Sequence, residues 1–371
     1  MYDLSKHPFF ETWTDSQTGA VSYILKERIA PIQQVFYFTN PGFSPDGEYL
    51  WFTACFPPCP RRFPAYVTLD PANPVIKWFP QGEWGSVPMV ARDSSGIYFM
   101  SRQYLCFMDP AGEVKIIGSI PDDYIKKRFL FRSATHLSLS ADGEWFLLDG
   151  KVGNVFFVAL MHARTGEFKL LNEFPYNHNH ALFSPVDPKL FLYPTDWAYD
   201  PITGKRWEMI FRLWLMDTDQ TVYRHLCPDL WEHHSSLSGH EWWSKDGMVC
   251  FVEYHKGVYE VDPETGKRTH VWKRPVCHAH CNSDRTLFCC DQTPYCWHPD
   301  DPLQVIFYNR TTGQEKCIVS AMPPPPDPAF NYSTYHTDPH PQFSPDDTMI
   351  GYMTTVRGMI DVAVTPVAQY K

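Results

Sequence analysis

Five histidines occupy one register of a degenerate repeat, and imidazole is the side chain best suited to bind a divalent metal or move a proton near neutral pH. His136, His240, His278 and His340 each stand six residues ahead of a turn aspartate, and His180 stands seven ahead of its own, in a copy with one extra residue. Only 16 of 371 residues are histidine, so five in one register need a common cause. Any one of them alone reads more readily as a packing residue capping a turn. As a set they read as a ring around one mouth, suited to a metal, to acid–base chemistry, or to both. The stretch "YHTDPH" adds His336 and Asp338, and Asp338 and His340 straddle one proline. On an extended X-Pro-X segment alternate side chains point the same way, so both reach one ion. Imidazole mixed with carboxylate suits Mn²⁺, Fe²⁺, Co²⁺ or Zn²⁺ better than a thiolate metal. His178, in "NHNH", lies near the ring, whereas His233 and His234 read as exposed loop residues.

The repeat itself predicts the scaffold. "GFSPDGEYLWF" recurs in degenerate form seven times, anchored on Asp46, Ser95, Asp142, Asp187, Asp246, Asp284 and Asp346, at intervals of 38 to 62 residues. Each copy is a polar turn followed by a short apolar run of strand-forming residues. Between copies lies a second turn signal, as in "LDPAN", "ARTGE" and "VDPETGK", which reads as a hairpin. Two turns per unit of this length fit a four-stranded blade. The hairpin missing after the last copy reappears at the start as "DSQTGAVSYIL". The expectation is an all-β, seven-bladed β-propeller whose ring is closed by the N-terminal strand, as a single domain over residues 1–371. In the first two copies the histidine register holds Asn40 and Met89, so five blades carry the chemistry. "PPPPDP" reads as a stiff spacer within the last interval.

Composition narrows the function. The formal net charge of −10 lacks the basic face a nucleic-acid binder needs, while a local cation or metal still suits a cleft to an anionic small substrate. Eleven cysteines without a disulfide rhythm, no apolar leader and no run long enough to span a membrane suggest a protein of the reducing cytoplasm with no membrane partner. Nothing in the sequence bears on oligomeric state.

Taken in order, "YFTNPGFSPDGEYLWF", "HNHALFSPVDPKLFLY", "FRLWLMDTD", "GHEWWSKDG", "VCHAHCNSD" and "DPHPQFSPDD" resemble the oligogalacturonate lyase family over nearly the whole chain. The resemblance implies a β-elimination on a short uronate-containing glycan, with a divalent metal, Mn²⁺ first, and an arginine compensating the uronate carboxylate. It implies His240 in "GHEWW" as base, Arg212 in "FRLWLM" as substrate arginine, His278 and His340 as metal ligands and His180 as a substrate contact. His136 joins the substrate contacts through its register. The sequence departs from the family in the last landmark, where Gln-x-x-His-Pro-His-Pro is replaced by Tyr335, Asp338 and His340. Asp338 then stands for a histidine ligand, His336 offers a replacement for the lost one, and Tyr335 takes the glutamine position as a substrate contact. Two other readings fit the same histidines: a sugar-acid isomerase or hydrolase, and a non-catalytic binding propeller.

Overall fold

The computed structural model describes residues 2–200, 202–227, 237–292, 302–325, 330 and 332–371. Seven antiparallel sheets, each built on one copy of the repeat, make the seven blades. In the fifth, Ser238–Trp243, Val249–Glu253, Gly257–Val261 and Arg268–Trp272 lie side by side in chain order. The repeat turn joins its first two strands, and the "VDPETGK" turn joins its last two.

The turn residues act through side-chain hydrogen bonds to the local backbone. Ser44 Oγ donates to Asp46 Oδ1 at 2.6 Å and accepts from the Tyr49 amide at 2.9 Å. Ser140, Ser244 and Ser344 repeat this arrangement in blades 3, 5 and 7. In blade 6 Asn282 substitutes, donating to Asp284 and accepting from the Leu287 amide. Degenerate sequence thus preserves one turn.

Ring closure uses two N-terminal strands rather than one. Val21–Leu25 pairs with Asp361–Pro366, and Phe10–Thr14 forms the outer edge of the same sheet. The connecting "DSQTG" hairpin is held as the other outer hairpins are. Asp15 Oδ1 accepts from the amides of Gln17 and Thr18, as Asp262 Oδ1 does from Glu264 and Thr265. Seven apolar clusters fill the seven seams between neighbouring blades. Trp51, Phe79 and Phe99 fill the seam of blades 1 and 2, Trp242 and Trp272 that of blades 5 and 6. Burying each such side chain contributes about 1.5–3 kcal/mol. The aromatic-rich composition is therefore the mortar of the ring. Among the described residues, no helix is long and apolar enough to cross a membrane, and all ten described cysteines are free thiols. His233, His234 and residues 326–328 of the proline spacer lie outside the described residues.

Candidate metal centre and its surroundings

All five register histidines sit at the heads of innermost strands. His278 immediately precedes Ala279–Cys281, and His136, His180 and His340 stand two residues before Ser138–Leu139, Leu182–Phe183 and Gln342–Phe343. His240 falls at a bulge between Gly239 and Trp242. Three of the five have left-handed backbones, with φ of 54° at His180, 54° at His240 and 43° at His340. His336 adds a fourth at 55°. Such φ values disfavour side chains with a Cβ and concentrate where a structure needs a particular side-chain direction.

Four of the five register rings converge on Tyr37. Its ring centroid stands 4.4 Å from that of His136, 4.8 Å from His340, and 5.5 Å from both His180 and His278. Tyr37 follows the innermost strand of blade 1, Ile32–Val35, in one of the two blades without a register histidine. Phe38 fills the space beside His240 and His278. A cavity of about 210 Å³ opens beside Tyr37, with His136, His180, His336 and His340 on its wall.

The donor atoms of His278, His336, Asp338 and His340 all lie within 4.8 Å of one another. Asp338 Oδ2 and His340 Nε2 are buried with no hydrogen-bond partner, a state that costs about 1–3 kcal/mol per group. A divalent cation turns both penalties into bonds, and the mixed nitrogen–oxygen donor set suits Mn²⁺ or its neighbours. Burial raises the pKa of the Asp338 carboxyl, against the pull of His336, and pushes His340 well below its usual range, so its ring is a neutral ligand.

Asp291 organises this cluster from behind. One oxygen accepts from the His278 amide at 2.9 Å, the other from the His340 amide at 3.1 Å and from His278 Nδ1 at 2.9 Å. The carboxylate therefore ties blade 6 to blade 7 and leaves His278 Nε2 as the ligand atom. Burial pushes its pKa up to about 7. Asp149 does the same between blades 3 and 4, accepting from Thr135 and from the Ala181 amide beside His180.

His240 is held similarly, its Nδ1 2.5 Å from the Cys277 carbonyl. A carbonyl only accepts, so Nδ1 carries the hydrogen and Nε2 the lone pair. Burial lowers its pKa to about 4, so the ring is neutral at pH 7. It lies 4.1 Å, ring to ring, from His278.

Arg212 is placed beside this group, yet its guanidinium is already engaged. Nε and Nη2 hold the two oxygens of Glu241, the latter at 3.1 Å, and Nη1 lies 3.2 Å from Asp196. Glu241 is fully buried, and its Oε2 is 3.8 Å from His180 Nδ1. The expectation of an arginine free for substrate thus meets a closed ion-pair network. Tyr335 does not join the mouth. Its side chain is 2% exposed and packs in the cluster between blades 7 and 1, while its carbonyl accepts from Gln34. The ring therefore offers no surface to a substrate. His178 also turns away, into an aromatic nest of Phe156, Phe174 and Tyr193.

Tyr37, Glu241 and Asp291 are the site residues that sequence reading missed. Asp291 had a signal, standing seven residues after Asp284 as Asp149 stands seven after Asp142.

No family profile and no curated protein matches the chain. Solved structures do. An oligogalacturonate lyase in complex with manganese superposes with a TM-score of 0.76 at 19% identity, covering 98% of this chain and 97% of its own. An oligogalacturonate lyase from Vibrio parahaemolyticus gives 0.76 at 18% identity, covering 98% of both. The β-propeller domain of Swd1 from Myceliophteria thermophila gives 0.56 at 9% identity, over 89% of this chain and 98% of that one. The chain is similar to the oligogalacturonate lyases in fold along nearly its full length.

Proposed function

We propose that this protein is a metal-dependent lyase that cleaves a short uronate-containing glycan by β-elimination. The observation that carries the reading is the His278, His336, Asp338 and His340 cluster, in which Asp338 Oδ2 and His340 Nε2 are buried without a hydrogen-bond partner. The fold, similar to that of a lyase solved with manganese, supports Mn²⁺ as the ion and a uronate oligosaccharide as the substrate.

A divalent ion in that cluster supplies positive charge that compensates the uronate carboxylate and makes the neighbouring C5 hydrogen more acidic. His240 Nε2, bearing the lone pair, takes that hydrogen as a proton. The C5–H electron pair becomes the C4–C5 double bond as the C4–O bond breaks. The departing oxygen takes up a proton from water, and His240 then returns its proton to the resulting hydroxide. The Cys277 carbonyl holds His240 in the accepting tautomer through this step. Arg212, locked to Glu241 and Asp196, positions the blade 4–5 wall beside His180. His136 and His180 line the cavity as neutral imidazoles, each lowered by burial, and serve as hydrogen-bonding contacts to sugar hydroxyls. At about 210 Å³ the cavity is below the ~300 Å³ of drug-sized pockets, which favours the end of a short oligomer.

The test is turnover of di- and trigalacturonate followed by the ultraviolet absorbance of the unsaturated product, alongside metal analysis. His240→Ala should abolish turnover with metal content unchanged, and His278→Ala should lose both. A metal-loaded protein that leaves every uronate oligomer intact would sink the reading.

A further inference from the structure

The same cavity carries two arginines that no part of the metal cluster or the His240 group uses. Arg62 lies at the start of a blade 1 strand with its guanidinium 5.5 Å from the Trp84 ring centroid. Arg132, in blade 3, donates from Nε to the Asp149 carbonyl at 2.9 Å and from Nη2 to the His178 carbonyl. Both line the cavity wall together with His136, His180, His336 and His340. Among the described residues, neither guanidinium reaches a carboxylate within ion-pair distance. That separates them from Arg212, whose donors are taken by two acids.

The wall around them is also short of acceptors. Trp84 Nε1, His136 Nδ1 and Nε2 and His180 Nδ1 are buried without a hydrogen-bond partner. Buried polar atoms are nearly always satisfied, and a cluster facing one cavity indicates a polar ligand that completes them. Two cations outside ion-pair distance of any acid specify the sign of this partly desolvated wall, Asp149 being near enough to Arg132 only to feel its charge. Burial already lowers the pKa of Arg62, which is the cost of holding a charge there without a counterion.

We infer that Arg62 and Arg132 form an anion clamp at this cavity and take a carboxylate of the ligand, so that carboxylate recognition falls to them and not to Arg212. A planar guanidinium backed by an aromatic ring is pre-organised for a carboxylate, and a charged hydrogen bond of this kind is worth about 1.5–3 kcal/mol. The inference deepens the lyase reading by naming what holds the uronate, and it rests on that reading for the sugar.

The experiment is isothermal titration of the purified protein with digalacturonate, its dimethyl ester and malonate, a sugar-free dicarboxylate. The wild type should bind the acid about 10-fold or more tightly than the ester, and Arg62→Gln and Arg132→Gln should each bring the two within about 3-fold. Arg62→Lys, which keeps the charge, should retain part of the preference. Bound metal and thermal melting show whether each variant is folded. A preference for the acid that survives in both folded glutamine variants overturns the clamp while leaving the lyase reading intact. Absence of any digalacturonate binding overturns the lyase reading, and malonate then decides. Malonate binding that is lost in Arg62→Gln upholds an anion clamp, and no malonate binding overturns it.

Discussion

Two sectors of the mouth are made from the same parts and finished differently. Between blades 4 and 5, the buried carboxylate of Glu241 is closed by Arg212 on both oxygens, and Asp196 takes the remaining fork. Between blades 6 and 7, Asp291 is closed by two amides and His278, but Asp338, equally buried, keeps an oxygen with no hydrogen-bond partner, 3.4 Å from the half-buried His336 and beside the open Nε2 of His340. A buried charge that is fully answered by protein is structural. One that is not answered is a place for a ligand. The contrast gives blades 4 and 5 a closed structural network, with His180 on the cavity wall, and blades 6 and 7 a group able to hold a metal.

The largest break in this comparison comes from opening the closed sector. Glu241→Gln leaves Arg212 buried with Asp196 alone, and removing one partner of a buried ion pair costs about 3–5 kcal/mol. The denaturation midpoint should fall by a corresponding amount while Mn²⁺ content stays near that of the wild type. Replacing both partners, as Arg212→Met with Glu241→Leu, should recover part of the loss, since no fully buried charge is then stranded and Asp196 keeps the side-chain amides of Asn177 and Asn179. If Glu241→Gln instead strips the metal without lowering stability, the two sectors are not separate in function.

The second break weakens the open sector from behind. Asp291→Asn keeps the shape but removes the charge that orients His278 and answers the His340 amide. Outer partners of metal-binding histidines support affinity by about 10–100-fold, so Mn²⁺ titration should show a loss in that range. His278→Ala should lose more, because it deletes a ligand rather than its support. Equal losses for the two variants would show that Asp291 does more than orient.

The two sectors also differ in how far the sequence exposes them. The five histidines were legible because a repeat writes one spatial position many times, and the ring, its closure and its strand heads followed from that periodicity. The closed network was not legible. Glu241 sits 29 residues from Arg212 and on another blade, and nothing local announces that a buried acid will meet that arginine rather than a substrate. Tyr37 was hidden for a different reason. It is one aromatic among 26 Phe and 20 Tyr, in a blade whose register position holds Asn40, so no copy marks it. Tyr335 inherited a role from its alignment position, but its side chain found more apolar surface in the blade 7–1 seam. Repeats expose what is repeated, and the residues that break the symmetry need coordinates.

The smallest effect belongs to His178, which shares the "NHNH" stretch with His180 but neither sector's chemistry. Its ring is fully buried among Phe156, Phe174 and Tyr193, and neither ring nitrogen has a hydrogen-bond partner. Burial holds its pKa well below the ordinary 6.5, so the folded chain keeps it neutral. The unfolded chain takes up a proton there as the pH falls below about 6.5, so the stability this residue contributes at neutral pH is lost on acidification. One such proton changes stability by about 1.4 kcal/mol per pH unit. His178→Phe removes that proton and fills the nest with a ring of similar shape, which should change stability at pH 8 by less than about 1.5 kcal/mol. Between pH 6 and pH 5 the variant should lose about 1.4 kcal/mol less than the wild type. An unchanged acid slope, measured by urea denaturation at both pH values, would mean that His178 is protonated in the folded chain and that the aromatic nest holds a charge.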